Sequence, residues 1–125
     1  MKYAKPLLPA LALTIALVAV PAKPHHSPAN FDLNVTDFAI SGEIAYVDMR
    51  NPHSVIELLV EDTDGSVSQW YIEFSSVNLL LRRGWDIERI KVGDTVTCLG
   101  NPSKNGDPQM YMWSVVLADG TEFSR

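Results

Sequence analysis

A single cysteine, Cys98, is all that the chain carries. It cannot close an internal disulfide, so the folded domain must be held by its core. Basic residues are few, ten against fifteen acids, for a net charge of −5. That balance argues against nucleic acid as a partner, because phosphate binding needs a basic surface. No apolar run reaches the roughly 20 residues that a bilayer-spanning helix needs. The Gly-x-Ser-x-Gly elbow, the His-Glu-x-x-His pair and the phosphate-cradling glycine loop are all missing. With no catalytic constellation to point to, the expectation is a protein that is not an enzyme. Asp62 and Asp64 alternate like the opening of a calcium loop, but the later ligands are absent. A hairpin turn is the simpler reading.

The longest apolar run, Leu7 to Val20, carries no charge. It follows Lys2 and Lys5 and leads into Val20-Pro21-Ala22, a small-residue exit of the kind signal peptidase accepts. This predicts a signal peptide over residues 1–22 and a periplasmic or secreted product. Pro9 inside the run weighs against an uncleaved anchor. No cysteine follows Ala22 to take a lipid, so no stable membrane insertion is expected after cleavage. Losing residues 1–22, with two lysines and no acid, takes the net charge from −5 to −7. Residues 23–125 suit one domain.

Residues 23–36 are rich in Pro, His, Ser and Asn, show no periodicity, and read as a flexible arm. From Asp37 to Arg125 the pattern is mostly that of strands. Phe38, Ile40, Gly42, Ile44 and Tyr46 alternate with polar residues, and the mid-strand glycine suggests a bulge or coil. Asn51-Pro52 breaks this strand. A second strand carries Ile56, Leu58 and Val60 on one face, and Asp62 to Gly65 turns it into a third. There Trp70, Ile72 and Phe74 are expected inward, with Tyr71 and Glu73 outward.

The period then changes. Val77, Leu80 and Leu81 form a helical stripe behind a serine cap, and Gly84 is the expected stop. With Gly84 at C′, Trp85 can pack on Leu80 as in a Schellman ending. Strands four and five follow, at Thr95 to Leu99 and Gln109 to Leu117, and Asp119-Gly120 turns into a short tail. Three strands, a helix and two strands give a mainly β fold. It is the element order of a small five-stranded Greek-key barrel, OB-fold-like, with one short helix between strands three and four. An open β-sandwich with one helix is the alternative.

Candidate sites are few. His25 and His26 sit just past the expected cleavage point, and adjacent imidazoles suit copper, nickel or zinc. With Lys23 as the new N-terminus, His25 is the third residue, the position that closes a square around Cu(II). Pro24 has no N–H to lose, so that square lacks one of its four nitrogens. A looser copper site needs a partner from the barrel, such as His53 or one of Met49, Met110 and Met112. Asn51 and His53 lie in the loop between strands one and two, which flanks the binding face of an OB-fold. Tyr71, with Glu57 and Glu73, would stand on that face. Arg83 and Trp85 place a guanidinium beside an indole, a seat for a carboxylate or phosphate. Cys98 reads as a buried small hydrophobe.

These pieces together resemble a family of small exported bacterial proteins, mostly proteobacterial, of unknown function. The resemblance rests on His25-His26-Ser27, Asn51-Pro52-His53, Arg82-Arg83-Gly84-Trp85, Lys91-Val92-Gly93-Asp94 and Asp119-Gly120, in that order. It implies export and the fold, and no mechanism. The first functional expectation is a non-catalytic periplasmic binding module for a small molecule, peptide or protein. The alternative is a periplasmic copper-handling protein using His25, His26 and His53.

Overall fold

A computed structural model describes residues 28–125. The expected signal peptide, and with it His25 and His26, lies outside the described residues. Five strands close a barrel: β1 (Phe38–Asp48), β2 (Ser54–Glu61), β3 (Val67–Phe74), β4 (Thr95–Pro102) and β5 (Gln109–Leu117). β1 to β3 form an antiparallel meander, β4 returns beside β1, and β5 pairs with β4. A parallel pairing of β3 with β5, Tyr71 against Gln109 and Glu73 against Tyr111, completes the ring. This is the expected OB-fold-like order, and closure gives each of the five long strands a neighbour on both sides over part of its length. Among the described residues, no helix is long and apolar enough to cross a membrane.

The barrel must coil tightly to close, and two features allow it. The β1–β2 register shifts between Ile44 and Tyr46. The extra residue there turns Tyr46 out to 47% exposure while Ile44 stays buried. Tyr46 therefore leaves the face that simple alternation assigns to it. Gly42, four residues earlier, is not the bulge. It is a point of close approach, where a Cβ would stand 2.5 Å from the Leu59 carbonyl oxygen.

The helix α1 (Val77–Arg82) plugs one end of the barrel through buried Leu80. Ser76 caps it, its hydroxyl accepting from the Leu79 N–H at 3.3 Å. Gly84, at φ 81°, takes the left-handed C′ position. The Trp85 N–H reaches the Leu80 carbonyl and the Gly84 N–H the Leu81 carbonyl, both at 3.1 Å. That is the Schellman pair the sequence predicts.

Two segments differ from expectation. The tail after Gly120 forms a sixth strand, β6 (Glu122–Ser124), on β5. The stretch expected as an arm is docked from Asn30 onward, and the Asn30 carbonyl accepts from the Lys104 N–H at 3.0 Å. Phe31 bridges Ser103 and is 1% exposed. The Asp32 N–H donates to the Pro102 carbonyl at 2.9 Å, and buried Asn101 donates its side-chain amide to the Val35 carbonyl at 2.7 Å. One large aromatic supplies the driving force, since burying a phenylalanine is worth about 1.5–3 kcal/mol.

Candidate functional site

The sequence-predicted residues divide between two places. Asn51, His53 and Tyr71 lie around the outer face of β2 and β3. Arg83 and Trp85 lie at the helix end of the barrel, lining a cavity of about 200 Å³ with Trp113 and Arg125.

At the helix end, Trp85 proves to be a core residue, 5% exposed. Its ring stacks between Phe74 and Phe123, with centroids 6.1 and 5.5 Å away, and its indole N–H donates to the Ser124 carbonyl at 3.1 Å. β6, which the sequence pattern does not announce, covers the ring and takes its indole donor, so the side chain serves the core while still lining the cavity. Arg83 closes the helix and remains exposed.

At the other place, the cis Asn51–Pro52 loop joins β1 to β2. Asn51 works inside the fold, its side-chain oxygen accepting from the Asn78 N–H of α1 at 3.3 Å. His53 stands one residue before β2, and the β2–β3 register sets Ser54 opposite Phe74 and Val55 opposite Glu73. This brings the His53 imidazole to the Glu73 carboxyl, and the two are joined through Nδ1 and Oε1. Glu73 is buried, with its side chain 5% exposed, while that of His53 is 40% exposed. The Tyr111 ring meets the imidazole edge-on, at 6.4 Å and 75°. The same ring also meets Phe31, with centroids 5.9 Å apart.

Glu73 is thus not outward in the sense expected. It is on the outer face of β3, but β5 with Tyr111 closes over that end. The same face stays open further along, where Glu57, Gln69, Tyr71, Pro108 and Gln109 line a shallow groove of about 260 Å³. The Gln69 amide donates to Glu57 at 2.5 Å across the hairpin. Burial pushes the Tyr71 phenol above its ordinary value, and the Glu73 charge adds to the effect. Tyr71 therefore stays a neutral hydroxyl through the physiological range.

Glu73 is the residue that sequence reasoning missed as a partner for His53. A signal existed: the Asp62–Gly65 turn sets the hairpin register, and counting back from it brings position 53 level with the end of β3. A carboxylate can only accept, so the neutral imidazole tautomer that pairs with it carries its proton on Nδ1 and has its lone pair on Nε2. A histidine held in this way can ligate a metal or take a proton. Among the described residues, no hydroxyl or thiol bonds Nε2, and no three His, Cys, Asp or Glu side chains gather as a metal group. The methionines considered as soft ligands do not join it. Met110 and Met112 face the core on β5, opposite to Tyr111. Cys98 is buried on β4, and burial pushes its thiol up to about 12.

Fold and site together define a small closed β-barrel with an acid-oriented histidine and a polar groove on one outer face. The chain belongs to the family of unknown function DUF6152, whose model matches residues 12–111. That span takes in both histidine positions of the arm, His53, Glu73 and Tyr111. No curated protein and no solved structure matches the chain.

Proposed function

We propose that this chain is an exported, non-catalytic binding module of bacteria whose ligand seat is the outer β2–β3 face. The observation that carries the reading is the groove of Glu57, Gln69, Tyr71, Pro108 and Gln109. It lies where an OB-fold-like barrel presents its ligand, and a tyrosine ring beside carboxylates suits a cation. The charge of −7 after loss of residues 1–22 favours the same sign of ligand. Export follows from the Lys2 and Lys5 lead, the Leu7–Val20 run and the Ala22 exit. Of the sequence-predicted residues, Tyr71 remains at the seat, while Asn51 serves the loop.

Thermal shift with polyamines, basic peptides and neutral sugars tests this. A cationic ligand is expected to raise the melting temperature, and added salt to weaken the effect. Glu57→Gln with Tyr71→Ala should abolish it. A panel without any shift, or a shift that survives this double variant, overturns the reading.

A further inference from the structure

We infer that the cavity at the helix end of the barrel is an anion site, one that seats a small aromatic carboxylate between Arg83 and Arg125. The cavity has an apolar floor and a cationic rim. Leu80, Trp85 and Met112 line it and are buried, while Arg83 and Arg125 line it and are exposed. Its volume is about 200 Å³. A cavity of about 150 Å³ holds benzene, so a single ring bearing a carboxyl group suits this one in size. Inorganic phosphate alone would leave the apolar floor uncovered.

Neither guanidinium is neutralised within the barrel. Arg50 pairs with Asp48 and Arg89 with Asp119, but among the described residues no carboxylate pairs with Arg83 or Arg125. The helix end does not occupy Arg83 either. The last carbonyls of α1 are taken by the backbone N–H groups of Arg83, Gly84 and Trp85. It is Arg82 whose Nε turns back to the Asn78 carbonyl, at 3.2 Å. Arg125 is positioned by Trp113. Its guanidinium carbon stands 5.7 Å from the ring centroid, and its backbone N–H donates to the Trp113 carbonyl at 3.1 Å. A guanidinium over a ring keeps its in-plane donors for a second partner, and that planar fork matches a carboxylate in two parallel hydrogen bonds. The cavity shares no residue with the Glu57–Tyr71 groove and takes the opposite charge, so either reading can fail without the other.

The test uses benzoate as the probe and benzamide as its neutral counterpart, titrated by calorimetry into the protein expressed from its full sequence. Nuclear magnetic resonance of the indole N–H groups locates the site. Benzoate is expected to bind one to one and at least about tenfold more tightly than benzamide, because a charge-assisted hydrogen bond is about twice as strong as a neutral one. Added salt should weaken benzoate binding. The Trp85 and Trp113 signals should shift, and that of Trp70, which packs on Phe38 outside the cavity, should not. Arg83→Gln and Arg125→Gln should each lose about tenfold and together abolish binding. Both side chains are exposed, so neither change disturbs the core. Arg50→Gln, at an exposed arginine outside the cavity, should bind as wild type does. Absence of benzoate binding in wild type overturns the inference, as does equal affinity for benzamide or undiminished binding in the double variant. A loss in Arg50→Gln as large as in Arg83→Gln overturns it too, since charge in general would then attract the probe. So does a shift confined to Trp70.

Discussion

Cys98 shows how a residue's chemistry is set by its place. It lies on β4 with no exposed surface, and burial raises its thiol from 9.0 to about 12. The unfolded chain would ionise this thiol from pH 9.0 upward, while the folded chain keeps its proton. The group's contribution to stability is therefore complete below 9.0 and declines as pH rises toward 12. The native protein is expected to leave Cys98 unmodified by iodoacetamide at about pH 8.5, with rapid modification once urea unfolds it. Labelling of the folded chain at the rate of a free thiol would contradict the burial. His53 is the opposite case, a side chain whose partner is buried and whose own ring is open. The sequence shows both residue types plainly, and neither environment.

At the scale of elements, α1 was almost fully readable. Its serine cap, its apolar stripe and its Gly84 stop are local signals, and a helix end is built from local hydrogen bonds. β6 was not readable. It has three residues, two of them polar, and it exists because β5 offers an edge and Trp85 offers a ring. Phe123 pairs with Val115 and stacks on Trp85. Phe123→Ala is expected to cost about 2 kcal/mol, below the range for a fully buried phenylalanine because this ring is half-buried. Urea unfolding measures this, and an unchanged midpoint would show that β6 contributes nothing to the barrel. The bulge in β1 belongs to the same scale. Alternation places Tyr46 inward, and one extra residue against β2 reverses it.

At the scale of the molecule, the barrel and the docked segment 30–36 form one unit. A stretch of low periodicity packs because a single ring, Phe31, fills a place beside Tyr111 and because Asn101 and Pro102 receive its backbone. Phe31→Ala is expected to cost about 3 kcal/mol, the lower end for a buried aromatic. It should open residues 30–36 to limited proteolysis while the far-ultraviolet circular dichroism of the barrel persists. Equal protease resistance in variant and wild type would show that the backbone bonds alone hold the segment.

The order of the first five strands and the helix, the mainly β class and the helix caps were determined by the sequence alone. Each is encoded in side-chain period, in turn residues and in capping groups a few positions apart. The tertiary structure alone decided the pairing of His53 with Glu73, the burial of Trp85, the core face of β5 and the docking of Phe31. Each of these depends on strand register and on what covers a face, and those are relations between residues distant in the chain. The histidine at the end of the Asn51–Pro52 loop was visible from the start. The carboxylate that gives it a direction came to it only when β2 folded back onto β3.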